Sequence, residues 1–377
     1  ERICPAYAAK WFSSRPYSEP LLTRRAAAAK IQSLLIVIIN YNSGSRLTEC
    51  LKSLSPALRG MMPQIHARIC VVDNASTDLS AHRLEPVFSS TRLFAFELLS
   101  ENLGFAGAIN FAVKKYPADA VLVLNPDVYL REDTIGELTR VLDEYAGVGA
   151  VAPMLYSPNG KPQTDFVARR LPSLFSTLAE LFYLHRIFPQ NRWTMRYRMQ
   201  DDPFIEQYFS RSFTDRHLPH ENPDRPLFVE QPPGACLLIR GAAFMKLCGF
   251  DESFWPAWFE DVDFCKRLAK HNYSCAVLAR ASAIHDGGYS LESLPAGRFS
   301  ELWYTNLRRY WKKHGCLSER CLLGVMLPLA LLLRSIICIL DGIFPGTKAP
   351  DFRREKLVNA RILCKLALRA LKPLRRG

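Results

Sequence analysis

The chain has 377 residues, 49% of them hydrophobic, which suits one large α/β domain with appendages. Its net charge of +13 is uneven: residues 301–377 hold sixteen Lys/Arg against five Asp/Glu, residues 1–30 six against two, and residues 31–300 are slightly acidic. A near-neutral body argues against nucleic acid as its substrate, while the basic ends point to an anionic surface, membrane lipid above all.

Residues 1–30 are basic and Ala-rich without a strong period and read as a tail. Leu34 to Ile39 is a short, β-branched apolar run fit for a buried parallel strand, ending in the loop Asn40-Tyr41-Asn42-Ser43-Gly44. Leu47, Cys50, Leu51, Leu54 and Leu58 then recur at helical spacing, and a second strand follows over 68–72, completing a βαβ unit. A strand over 93–98, a helix over 106–116, a strand over 120–124 and a helix around Ile135, Leu138, Leu142 and Tyr145 continue the alternation. This predicts an α/β fold with a doubly wound, mostly parallel sheet. Eight prolines between Ser157 and Pro226 break the pattern, so 157–225 reads as an irregular insertion with one or two helices and weak acceptor contacts. Order resumes with a strand entered through Gly234.

The carboxyl end differs. Cys321 to Leu340 carries one charge, Arg334, and one proline, Pro328. As a helix it reaches about 30 Å, one hydrocarbon thickness, but Arg334 and Pro328 make a dipping or hairpin helix as good a reading as a span. Beyond it, Arg354, Arg361, Lys365, Arg369 and Lys372 share one stripe of a second helix otherwise covered by leucines, a pattern suited to a membrane interface. Eleven scattered cysteines without a C-x-x-C pair argue against a disulfide framework and for a reducing compartment. No apolar run of signal-peptide length precedes Leu34, so the body is expected in the cytoplasm.

Chemistry gathers at the carboxyl ends of the strands, where open α/β sheets bind ligands. Asp73 follows one strand, Asn125-Pro126-Asp127 another, and His285-Asp286 a third. A carboxylate just past a buried strand suits Mg²⁺ or Mn²⁺, hard cations that bridge substrate phosphates, although Asn-Pro-Asp is also an ordinary turn. A neutral imidazole is a sound second ligand, although a lone His is more often structural. Glu260, Asp261 and Asp263 open a helix among Trp255, Trp258, Phe259 and Phe264. Acids there cap free N–H groups, and apolar neighbours also raise a carboxylate toward a useful base. Asn102-Leu103-Gly104 opens a helix through a glycine turn, whose free N–H groups suit a phosphate or ribose. No G-x-x-x-x-G-K-[ST] loop and no G-x-S-x-G elbow occurs, which removes P-loop ATPases and serine hydrolases of that type.

Taken in order, Ile38-Ile39-Asn40-Tyr41-Asn42, Asp73-Asn74-Ala75-Ser76, Asn102-Leu103-Gly104-Phe105, Asn125-Pro126-Asp127-Val128, Gly249-Phe250-Asp251-Glu252 and Phe259-Glu260-Asp261-Val262-Asp263-Phe264 resemble glycosyltransferase family 2 with its GT-A nucleotide-sugar fold. The Asn-Pro-Asp-Val form and the Trp303 to Tyr310 segment look most like its bacterial rhamnosyltransferases. The resemblance implies residues 31–315 as the transferase domain, with 1–30 and 316–377 as appendages. It implies Asp261 as the catalytic base, and Asp127 and His285 as ligands of Mg²⁺ or Mn²⁺. Asn125 stands in place of the family's first metal-motif acid. Asn40, Asn42, Asp73, Asn102, Gly104 and Asn125 would line the donor, and Gly234, Trp258 and Glu260 the acceptor.

The function so implied is inverting, metal-dependent transfer of a sugar, rhamnose among the candidates, from a nucleoside-diphosphate donor to a hydroxyl of a lipid-linked or polysaccharide acceptor. The place would be the cytoplasmic face of the inner membrane. Two alternatives stay open: a nucleotidyltransferase on a similar sheet, and a membrane-docked scaffold that keeps a degenerate sugar-nucleotide fold.

Overall fold

A computed structural model describes residues 30–59, 61, 64–88, 91–202, 205, 208–209, 225–287, 294–295, 297–343 and 350–371. The expected tail over 1–30 therefore lies almost wholly outside the described residues, as does Lys372.

The amino-terminal half is a run of βαβ units. β1 (Ser33–Asn40), β2 (His66–Asp73), β3 (Phe94–Leu98) and β4 (Ala120–Leu124) are all parallel, joined by α1 (Ser45–Arg59), α2 (Ser80–Phe88) and α3 (Gly104–Lys115). Leu34 to Ile38 and all of β4 are buried, because helices cover both faces of the sheet. α1 turns Leu47, Cys50, Leu51, Leu54 and Ala57 inward, one apolar stripe at helical spacing.

Beyond β4 come β5 (Val128–Leu130), α4 (Thr134–Glu144) and β6 (Val148–Tyr156). Among its described residues the proline-rich insertion holds four short helices rather than one or two: α5 (Thr164–Val167), α6 (Leu174–Leu181), α7 (Leu184–Ile187) and α8 (Arg192–Tyr197). β7 (Leu227–Val229), β8 (Cys236–Arg240), α9 (Gly241–Lys246), α10 (Glu260–Lys270) and β9 (Ser274–His285) follow, and then α11 (Arg298–His314), α12 (Leu317–Ile343) and α13 (Pro350–Ala370).

The sheet runs β3-β2-β1-β4-β8-β6-β9-β5, with β7 also on β9. β8 lies antiparallel between β4 and β6, while β6 and β9 are parallel. The sheet is thus parallel in its first half and mixed in its second. Two antiparallel steps restore direction, so β9 ends at the same edge as β1, β2 and β4. A register slip opposite Pro153 and Met154 divides β9, whose start carries β7 and whose end carries β5.

A second core unites α10, α11, α12 and α13. Phe254, Phe259 and Val262 pack with Tyr304, Leu307, Tyr310 and Trp311, and beyond them with Leu323, Leu327, Leu331, Leu363 and Leu366. Within this core Asn306 is fully buried, and its amide nitrogen donates to the carbonyls of Phe254 (3.1 Å), Ala257 (2.8 Å) and Trp258 (3.1 Å). Asp263, also fully buried, meets Arg267, Lys313 and His314, each at 2.7 Å. α11 therefore grips both the loop before α10 and the helix itself.

α12 presents two apolar faces. One packs inward, and the other leaves Val325, Leu329, Ile336 and Leu340 exposed. By length and composition α12 is able to cross a membrane, with 39% of its most apolar window buried in the protein. Arg334 is turned toward the body, donating to the carbonyls of Glu180 and Leu181 and lying 3.9 Å from the Tyr183 ring centroid. The one charge of the apolar run is thereby matched to the carbonyl end of α6 and an aromatic face.

Replacing Asn306 with the isosteric Leu strands three buried carbonyls. A loss of about 3 kcal/mol is expected, read as a lower midpoint in thermal or denaturant unfolding.

Candidate active site

The shared strand edge opens into a cavity of about 680 Å³, within the size range of small-molecule sites. Asn102, Asn125, Asp127, Gly234, Trp258, Glu260, Asp261 and His285 all line it. Asn40, Asn42, Asp73 and Gly104 stand outside that lining.

Asp127 and His285 meet because β5 pairs with the end of β9, Val128 opposite His285, while the Asp286 N–H donates to the Asp127 carbonyl. His285 Nε2 lies 3.8 Å from Asp127 Oδ2. Asp127 Oδ1 is buried and has no hydrogen-bond partner. Burial pushes the Asp127 carboxyl up and the His285 imidazole down, so the ring is neutral in this pocket. Its Nδ1 is 2.8 Å from Gln163 Oε1, and the Gln163 amide donates to the His285 carbonyl. An acceptor at Nδ1 assigns the proton to that nitrogen and leaves the Nε2 lone pair facing Asp127. Phe166 stacks on the imidazole at 5.3 Å and fixes its plane. A carboxylate oxygen and an imidazole nitrogen suit Mn²⁺ or Mg²⁺. Among the described residues no group of three His, Cys, Asp or Glu stands together.

Asp261 reaches the same cavity by another route. Its α10 begins after Trp258 and Phe259, both held at φ +75°, a conformation rare for bulky residues and common at functional turns. The Asn125 N–H donates to the Ala235 carbonyl, which ties the end of β4 to Gly234 and Ala235. Gly234 faces Asp261 so closely that an added Cβ would sit 3.0 Å from Asp261 Cβ and 3.1 Å from its Oδ2. Glu260 is buried with an unpartnered Oε2, and burial together with the Asp261 charge pushes its carboxyl well above the usual range. One acid of the pair is therefore held neutral beside the other.

The remaining predicted residues form a frame. Asn40 is fully buried and donates to Asp73 Oδ1 (2.6 Å) and the hydroxyls of Ser76 and Ser80. Asn42 Oδ1 accepts the N–H groups of Thr77 and Asp78. Asn74 joins the frame to the cavity by donating to Asn102 Oδ1 and the Gly104 carbonyl. Gly104 has φ +75°, and a Cβ there would lie 2.7 Å from Trp255. Only glycine lets the Trp255-Pro256 loop close onto α3, where the Phe105 N–H donates to the Pro256 carbonyl. Gln163, Asn74 and Asn306 were not singled out from sequence. Gln163 acts 122 residues away from His285, and no local pattern marks it.

This architecture, a mixed α/β sheet with its cavity at the strand ends, is the GT-A fold of nucleotide-sugar enzymes. A mannosyltransferase from Pyrobaculum calidifontis, solved with GDP-mannose and Mn²⁺, superposes with a TM-score of 0.50, at 14% identity over 97% of this chain and 93% of that one. A family model described as glycosyl transferase family 2 matches residues 35–203. The Mycobacterium tuberculosis N-acetylglucosaminyl-diphospho-decaprenol L-rhamnosyltransferase is 27% identical over 76% of this chain and 91% of its own length. The Haloferax volcanii low-salt glycan biosynthesis hexosyltransferase Agl10 is 22% identical over 70% of each. The chain is a glycosyltransferase whose residues 35–203 match family 2, and it is similar in sequence to a rhamnosyltransferase.

Gly234→Ala forces the Asp261 side chain to shift by a few tenths of an ångström. Turnover should fall about tenfold or more while the unfolding midpoint stays near that of the parent, since small displacements of reacting groups are costly. Unchanged turnover would separate Gly234 from the reactive position of Asp261.

Proposed function

We propose that this glycosyltransferase moves a sugar from a nucleoside-diphosphate donor to a hydroxyl of a lipid-linked or polysaccharide acceptor in cell-envelope glycan synthesis, with inversion at the anomeric carbon. The observation that carries the reading is a single cavity lined by Asp127, His285 and Asp261. Rhamnose is the favoured sugar, on the likeness to a named rhamnosyltransferase.

Asp127 and His285 would hold Mg²⁺ or Mn²⁺, which neutralises the charge that grows on a diphosphate leaving group. Gln163 keeps the His285 lone pair turned inward, and Phe166 holds the ring. Asn102 and Asn125 line the donor side, with Asn40, Asn42, Asp73 and Gly104 holding the loops behind it. On the other side Gly234, Trp258 and Glu260 shape the acceptor place. Asp261 takes the proton of the acceptor hydroxyl as that oxygen attacks the anomeric carbon from the face opposite the leaving group. One displacement inverts the configuration and needs no sugar–enzyme bond. The neutral Glu260 beside Asp261 removes a second negative charge from the path of the incoming hydroxyl.

The Asp261→Asn variant should lose about 10²- to 10⁴-fold in transfer rate, the typical contribution of one positioned base, while nucleoside-diphosphate binding survives. Asp127→Ala should instead abolish the Mn²⁺ dependence of nucleotide binding in calorimetry. Release of a nucleoside diphosphate marks sugar transfer, whereas release of pyrophosphate would mark a nucleotidyltransferase.

The same proposal places the enzyme on an anionic membrane surface at the cytoplasmic face. α12 offers its exposed apolar row, and α13 carries Arg354, Arg361 and Lys365 outward. The inward Arg334 favours a helix lying on the body over one that spans. Charge removal in an Arg354→Gln, Arg361→Gln, Lys365→Gln variant should weaken binding to phosphatidylserine vesicles by roughly a hundredfold, at about 1 kcal/mol per basic residue. Transfer to a soluble acceptor analogue should be unchanged. Equal binding of both proteins to these vesicles would remove the electrostatic part of the reading.

A further inference from the structure

The insertion carries an apolar tip that neither the sheet nor the helical core covers. None of the four residues of α7 is buried. Its last residue, Ile187, and the following Phe188 are each 63% exposed. Hydrogen bonds hold this tip in shape. The Arg186 N–H donates to the Tyr183 carbonyl and the Phe188 N–H to that of Leu184, both at 2.8 Å. The Asn191 N–H and side-chain amide both donate to the Phe188 carbonyl, at 3.0 and 2.7 Å. A fixed turn thus presents two adjacent large apolar side chains to solvent. Leaving them wet is unfavourable, and a docking surface removes that cost.

The charge around the tip selects the surface. Residues 181–200 contain four arginines and no Asp or Glu. Arg198 is bound to Asp165. Arg186, Arg192 and Arg196 are exposed and meet no carboxylate among the described residues. Arg186 lies 4.7 Å from the Tyr183 ring centroid, and Arg192 lies 5.2 Å from that of Trp193. Aromatic rings, aliphatic side chains and unpaired cations on one short segment match the boundary between anionic headgroups and acyl chains. The tip is also fastened to α12. Arg334, midway along that helix, lies 3.9 Å from the same Tyr183 ring centroid and donates to the Leu181 carbonyl. The tip is therefore continuous with the helix that bears the exposed apolar row.

We propose that α7 and the turn after it dock on an anionic lipid bilayer, with Ile187 and Phe188 entering the headgroup–acyl boundary and Arg186, Arg192 and Arg196 meeting lipid phosphates. This inference rests on the membrane placement proposed above and gives the insertion a part in it. α6 ends two residues before α7, and its Ser176, Thr177 and Glu180 line the cavity. Docking of the tip therefore brings that wall of the cavity to the lipid surface.

The test is binding of the full chain to phosphatidylserine–phosphatidylcholine vesicles. The double variant Ile187→Ser, Phe188→Ser should bind about tenfold or more weakly, the scale set by two large apolar side chains that no longer leave water. Its unfolding midpoint and its turnover on a soluble acceptor analogue should stay those of the parent. The double variant Arg186→Gln, Arg192→Gln should lose roughly thirtyfold on these vesicles and little on phosphatidylcholine alone. In Phe188→Trp the added indole should be quenched by brominated phospholipids beyond the quenching of the parent; this variant decides the matter if the Ser variant does not fold. Vesicle binding by the Ser variant equal to that of the parent would overturn the proposal, as would no added quenching. So would a change of oligomeric state in sedimentation with vesicle binding intact, which assigns the tip to a second copy of the chain. Loss of binding only in the Arg354→Gln, Arg361→Gln, Lys365→Gln variant removes the tip and leaves the membrane placement standing. Failure of the parent to bind any vesicle removes both.

Discussion

The shape of the cavity's helical wall depends on one buried amide. Asn306 holds the carbonyls of Phe254, Ala257 and Trp258, leading into the turn at Trp258 and Phe259 that bulky side chains normally avoid. That turn aims the first residues of α10 into the cavity. Behind it Asp263 sits among Arg267, Lys313 and His314, so the helix is fixed to α11 by charge as well as by packing. Burying a carboxylate this deeply is tolerable only because its partners surround it. The Asp263 carboxyl is accordingly held below the usual range, by the His314 hydrogen bond and by the Arg267 and Lys313 charges, against the opposing pull of burial.

The same economy governs the opposite wall. Asp127 and His285 come from strands that pair directly, and their approach needs only the β5–β9 ladder. The sheet therefore places one set of groups and the helical core places the other. The link between them is the short backbone bond from Asn125 to Ala235. The turn at Trp258 and Phe259 is supported from α11 through Asn306.

Much of this was legible in the residues. The apolar runs before Asp73, Asn125 and His285 marked the strands, and their polar ends marked the edge. The mixed half of the sheet was not legible, because β8 enters between β4 and β6 from eighty residues beyond β6. Neither βαβ alternation nor local composition encodes that insertion. Among site residues, the polar character of Asn40 and Asn42 pointed to the right loops, but their side chains hold backbone and neighbouring groups rather than face the cavity. Gln163 lies in the proline-rich stretch, where no period survives, and its contact with His285 depends on a partner across the fold. Asn306 sits mid-helix among aromatic residues, and only its complete burial marks it as structural.

The cavity's two walls are constrained in different ways. One side is woven into a nine-stranded sheet, where any change disturbs several ladders at once. The other combines α10 and α11 with helices of four to eight residues between β6 and β7, of which α5 packs on β6 and α6 on α12. Substitutions there that spare Gln163 and Phe166, which hold the His285 ring, leave the β5–β9 ladder untouched. A lineage carrying this scaffold can thus change the glycan it builds without relearning how to fold.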